Sequence, residues 1–287
     1  MRYIFLGIGS VLAVLFIIHL AKGKKFETIV ENLNSENYPL NGLYSVGFSW
    51  GSGKIFSLHG KRLKDLLTQA SLLYEPQYAE YYANVVWAQT LTLVHLFLAV
   101  TFLAAGIIYD AAALLFLAGI FLSVVVGVYC MENMKNTLTK RTEECEAQLP
   151  EVVSTIAILV NSGMVLREAW NTVADSNTGA FYDLMRKAGD NMKNGYSDAD
   201  AIFLFGKASN STEIKKFVSA LLQSMEKGGA ELSGFLAQQS SELWGTKRQH
   251  MLQEGEKAAT KLLLPILLIF IGVIIIVITA AFAGSLF

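Results

Sequence analysis

LLLPILLIFIGVIIIVITAAFAGSLF, residues 262–287, contains no Asp, Glu, Lys or Arg. A bilayer hydrocarbon core takes about 20 apolar residues as a helix, so this run is long enough to cross one. Three other stretches are equally free of charge: Tyr3–Ala21, Tyr81–Tyr109 and Ala111–Met131. The predicted transmembrane helices are therefore 1–21, 81–109, 111–131 and 262–287. Of the 23 Lys and Arg, all but Arg2 fall in two blocks, 22–80 and 132–261. Lone charges are costly in lipid, and basic loops tend to stay in the cytoplasm. The expected topology places both charged blocks in the cytoplasm and both termini outside. Asp110 then sits in a tight outer turn. Arg2 on the outside is the one misfit. A cleaved signal would have a shorter apolar core and a small-x-small exit. Here Lys22, Lys24 and Lys25 follow the apolar run, which reads as a retained span.

Hydrophobic residues make up 53% of the chain, and the net charge is −1. There is no basic excess of the kind nucleic acid selects. Cys130 and Cys145 match no disulfide framework and no CxxC pair, and are expected as reduced thiols. Gly51-Ser52-Gly53-Lys54 is not a phosphate-binding P-loop. Phe48 stands where the first glycine is needed, and Ile55 where Ser or Thr is needed. His19, His59, His95 and His250 are scattered, without HExxH or Cys/His spacing. His95 lies inside a predicted span, where a neutral ring bonded to a neighbouring helix is the expected state. No catalytic, cofactor-binding or metal-binding residue is assigned, no cofactor is expected, and the chain is not expected to be an enzyme. The carboxylates Glu143, Glu144, Glu146 and Glu151 read as a solvated helix face.

The expected fold is an all-α integral membrane protein, with four transmembrane helices plus a cytoplasmic antiparallel bundle of about six helices. Residues 22–60 read mostly as loop with a short helix near 26–33. A helix follows from Lys61, Pro76 interrupts it, and the second span begins near Tyr78. In block 132–261 the third span continues as a charged helix to Leu149. Leu149-Pro150-Glu151 reads as a new helix start, with proline in the first turn and an acid at the positive end. Further helices are predicted from Leu166, from Phe181 to a stop at Gly195, from the capping-box form Ser197–Asp200, and from Ser211. The last of these carries Ile214, Phe217, Val218, Leu221, Leu222 and Met225 on one face. Gly228-Gly229 ends it. A final helix from Leu232 is expected to run on into the last span.

The stretches Gln148-Leu149-Pro150-Glu151-Val152-Val153 and Asn161-Ser162-Gly163-Met164-Val165-Leu166-Arg167-Glu168-Ala169 resemble the opening helix pair of the type II secretion F domain. The turn at Asn194-Gly195-Tyr196-Ser197, the corner at Glu226-Lys227-Gly228-Gly229 and the run Glu256–Pro265 are similar to that family's later motifs. The resemblance covers roughly 135–287. One span before a degenerate cytoplasmic block, then a hairpin, then a single such domain, looks most like the tight-adherence (Tad) pilus branch. Membership implies an inner-membrane platform of a pilus or type II secretion machine, which couples a hexameric cytoplasmic ATPase to pilin assembly. It also implies pilin subunits, the lipid bilayer, a sister platform protein and homo- or hetero-oligomers as partners, with no nucleic acid. Leu149, Pro150, Gly163, Ala169, Gly195, Gly228, Gly229 and Pro265 are the motif positions, read as structural punctuation. Partner contacts are expected on charged faces, at Lys215, Lys216, Lys247 and Arg248. The competing reading is a small transporter or channel with a regulatory cytoplasmic bundle. Uncharged spans argue against it, because ion-coupled transport uses ionisable groups at mid-membrane.

Overall fold

The computed structural model describes residues 2–31, 33, 38–53, 56–108 and 111–283. The predicted turn at Asp110, the terminal Phe287 and the pair Lys54-Ile55 lie outside them. Among the described residues there is no strand. Four helical segments are long and apolar enough to span a membrane: Arg2–Val30, Pro76–Ile107, Ala112–Asn161 and Gly229–Thr279. The chain divides into two compact units, Met1–Thr142 and Glu143–Phe287.

The first unit holds α1 (Arg2–Gly23), α2 (Glu27–Val30), α3 (Tyr44–Gly51), α4 (Gly60–Leu73), α5 (Ala79–Ile107) and the first part of α6 (Ala112–Asn161). The described residues of 22–60 are more helical than the expected loop. α3 packs against both α1 and α5, and buries Tyr44, Ser45, Val46 and Gly47. The apolar content that makes this possible is easy to overlook, because Gly, Ser and Asn dilute it. Gly47 is the point of closest approach. Its N–H donates to Thr92 Oγ1 at 2.9 Å, and a Cβ at this position would collide with the Ala88 carbonyl. His95 Nε2 donates to the Leu12 carbonyl of α1 at 2.9 Å, the helix-bonded state expected for it. A second buried cluster forms where α4 meets α5, around Tyr44, Leu66, Ala70 and Val85. Tyr38 joins it, its hydroxyl 3.0 Å from that of Tyr74. Burial first, and the Tyr74 contact second, push the Tyr38 phenol above its usual range.

The second unit is built from the end of α6, then α7 (Leu166–Ser176), α8 (Ala180–Lys193), α9 (Asp198–Ala208), α10 (Thr212–Lys227) and α11 (Gly229–Ala283). Six helical segments share one core, centred on Trp170, Phe181, Met185, Ile202, Leu221 and Leu236. Trp170 is 1% exposed and donates its indole N–H to the Met185 carbonyl at 3.0 Å. The stripe on α10 is as read: Ile214, Phe217, Val218 and Leu221 are buried, with Leu222 and Met225 packed against them.

Pro150 does not open a helix. It lies inside α6, which is unbroken from Ala112 to Asn161. An interior proline forfeits the bond to residue i−4 and costs about 3 kcal/mol. Cys145, Leu149, Val152, Val153 and Ile156 continue one buried stripe straight through it. Burial contributes roughly 1.5–3 kcal/mol per large apolar side chain, so the stripe outweighs the proline.

The helix ends follow local rules. Met164 N–H bonds to Leu159 O and Gly163 N–H to Val160 O, with Gly163 at φ +98°. Tyr196, Gly195, Asn191 and Met192 repeat the arrangement at the end of α8. This paired closure needs a left-handed residue, which glycine supplies without strain. Ser197 caps α9: its Oγ accepts from Asp200 N–H at 3.0 Å. The Asp200 carboxylate accepts the same hydroxyl rather than reaching the Ser197 backbone, because its side chain is one carbon shorter than the usual Glu. Gly228, at φ +110°, separates α10 from α11, and Gly229 already belongs to α11.

The carboxylates read as a solvated face do two specific things. Glu144 Oε1 accepts from the Ala180 N–H at 3.2 Å, where the first residue of α8 has no side-chain cap of its own. Glu146 Oε1 accepts the Ser211 hydroxyl at 2.6 Å, while Ser211 Oγ caps Ile214 N–H at 3.1 Å. Both place negative charge at the positive end of a helix.

Glu146→Ala is expected to weaken the start of α10 by about 1 kcal/mol. Amide hydrogen exchange should then accelerate roughly fivefold across Thr212–Ile214. Glu143→Ala, on the exposed side of the same turn, should leave these amides unchanged. Gly47→Ala is expected to destabilise the first unit by about 1–3 kcal/mol, the range for overpacking. Loss of exchange protection confined to Tyr44–Gly51 and the facing part of α5 would register it.

Candidate functional site

The predicted contact residues of the second unit lie on α10 and α11. Among the described residues, no three His, Cys, Asp or Glu side chains gather where they could hold a metal ion. Among the hollows that the six segments shape, two hold predicted contact residues.

The first hollow lies on the outer face of α10, lined by Thr212, Lys215, Lys216, Ser219, Ala220 and Gln223, with a volume of about 400 Å³. The amphipathic register of α10 creates it. With Ile214, Phe217, Val218 and Leu221 turned into the core, residues 215, 216 and 219 are exposed. Both lysines are exposed and make the hollow basic.

The second hollow lies where α6 meets α11, also with a volume of about 400 Å³. Glu143, Glu146, Glu213 and Glu254 supply its carboxylates; Pro150, Leu243 and Met251 supply its apolar floor. A polar seam fixes the two helices here. Trp244 Nε1 donates to Ser154 Oγ at 2.7 Å, and Ser154 Oγ is 2.7 Å from Ser240 Oγ. The Lys247 Nζ donates to the Ala147 carbonyl at 2.9 Å and lies 5.1 Å from the Trp244 ring centre.

The four predicted contact residues therefore separate. Lys215 and Lys216 share the basic hollow. Lys247 is half-buried and occupied within its own unit, so it acts first as a strut between α6 and α11. Arg248, its neighbour in sequence, is exposed on α11. The acidic hollow was missed because its carboxylates come from three helices. Only Glu143 and Glu146 are close in sequence, and helical spacing alone does not announce Glu213 or Glu254.

Of the motif positions, Gly163, Gly195 and Gly228 lie at helix ends with positive φ, Leu149 and Ala169 lie in the core, and Pro150 and Pro265 lie inside helices rather than at their starts. Leu149 is 1% exposed and Ala169 is fully buried. Pro265 lies inside α11, within a stretch whose most apolar part has no buried residue. Cys145 and Cys130 are buried, one in each unit.

No curated protein and no solved structure matches the chain. Residues 152–283 match the family model of the type II secretion system (T2SS), protein F. The match begins inside α6, later than the start near 135 read from the sequence, and runs to the end of α11. Residues 152–283, just under half of the chain, are thus similar to the type II secretion system protein F family, and this stretch includes the membrane-length apolar part of α11.

Proposed function

We propose that this chain is the inner-membrane platform protein of a Tad or type IV-pilus-like machine, or of a type II secretion machine. In this reading it couples a cytoplasmic secretion ATPase to assembly of pilin subunits, and does no covalent chemistry itself. The observation that carries the reading is the protein F domain at 152–283. That domain supports a secretion or pilus platform in general. The Tad branch is our narrower choice, drawn from a protein F match that follows two membrane-length apolar helices in succession.

The helices suit such a role. α6 and α11 each run in one piece from a membrane-length apolar stretch into the shared core of six segments. Motion imposed on that core has a continuous helical path toward lipid. The basic hollow at Lys215 and Lys216 is the preferred contact for an acidic face of the ATPase. Both charged blocks are placed in the cytoplasm and both termini outside. A sister platform protein and oligomerisation belong to the same proposal.

Lys215→Glu combined with Lys216→Glu is expected to lower recovery of the ATPase at least about fivefold in a pull-down with the detergent-solubilised full chain. Recovery equal to that of the unaltered chain would remove the basic hollow from the contact. Loss of no ATPase on deleting 150–245 would remove the platform reading itself. For topology, Cys130 and Cys145 are too buried to report a side. A cysteine placed at the exposed Lys216 should react with an impermeant thiol reagent only after the cells are permeabilised. Labelling in intact cells would invert the topology.

A further inference from the structure

A groove of about 490 Å³ opens in the first unit between α5 and α6, overhung by α4. On α5 it is lined by Trp87, Leu91, Val94 and Leu98, which repeat at helical spacing along one face. On α6 it is lined by Ile120, Val124, Val128 and Met131. The helices are closest just beyond its inner end. There Gly119 faces Thr101, and a Cβ on Gly119 would collide with that side chain. The lining ends at its outer end with Glu132 on α6, and Arg62 of α4 lines the same groove.

Its length selects the occupant. From Trp87 to Leu98, and from Ile120 to Glu132, the helical rise amounts to about 16–18 Å. A hydrocarbon core is about 30 Å thick, so the groove runs the depth of one leaflet and stops near the middle of both uncharged stretches. A transmembrane helix from a partner or a second copy would need a groove along both leaflets. An acyl chain needs only one.

The outer end has headgroup chemistry. Trp87 lies at the level where indole rings favour the membrane interface, its N–H donating to the Phe56 carbonyl at 2.7 Å. Arg62 and Glu132 are exposed, and among the described residues no ion pair joins them. One unpaired cation and one unpaired anion at one mouth match a zwitterion. A guanidinium takes a phosphate, and a carboxylate takes an ammonium.

We infer that the α5–α6 groove is a binding site for a single phospholipid with a primary ammonium headgroup, its phosphate on Arg62, its ammonium on Glu132 and one acyl chain along the groove. The site depends on α5 and α6 crossing a membrane, and not on the chain being a platform.

Native mass spectrometry of the full chain in mild detergent tests it. The probes are dioleoyl phosphatidylethanolamine, phosphatidylcholine and phosphatidylglycerol. Phosphatidylethanolamine should be retained at least about tenfold better than phosphatidylcholine, whose quaternary nitrogen cannot donate to Glu132. Glu132→Gln should abolish that preference. Arg62→Gln should weaken retention of all three lipids. Val128→Trp, which fills the groove, should remove the bound lipid, whereas Phe121→Trp, exposed and outside the groove, should not. Retention of lipid by Val128→Trp overturns the proposal. So does a preference for phosphatidylglycerol, or a dimer that carries no lipid and dissociates on Val128→Trp.

Discussion

The second unit depends on one constraint: the buried stripe of α6 must stay in register through Pro150. Cys145 and Leu149 precede the proline, Val152, Val153 and Ile156 follow it, and all five belong to one core. A break there would turn the two halves of the stripe to different faces. The same helix carries Glu144 and Glu146 out to the starts of α8 and α10. One unbroken element therefore supplies the core with apolar surface and two neighbouring helices with their anionic anchors.

Much of this was legible in the residues. Charge-free runs disclosed four membrane-length helices, and glycine, serine and proline positions marked most of the turns. Gly163, Gly195, Ser197 and Ser211 do what short-range rules say they do, because capping depends on atoms only a few residues apart. Pro150 misled for the complementary reason. Local propensity favours a helix start there, while the opposing term, burial of a stripe against α7 to α11, is long-range. Helix α3 escaped notice similarly. Its eight residues have a weak pattern of their own, and they are helical because α1 and α5 flank them.

The surfaces were less legible. Lys215 and Lys216 lie together on one exposed face of one helix, a placement that helical spacing alone announces. Lys247 looked equivalent, but its stem and ammonium are taken up by Trp244 and Ala147, a contact between residues a hundred positions apart. The acidic hollow collects carboxylates from α6, α10 and α11. The α5–α6 groove likewise takes its lining from several elements, with Arg62 on α4 and Glu132 on α6. Sites assembled from several elements leave no spacing in the chain to read.

The placement of the two thiols has a practical consequence. Cys130 is 2% exposed in the first unit and Cys145 is fully buried in the second. Alkylation of either therefore has to wait for its own unit to open. The chain thus carries a built-in clock for each half. Reaction of Cys145 reports loosening of the helical core, and reaction of Cys130 reports loosening among the spans, without a label being introduced into either.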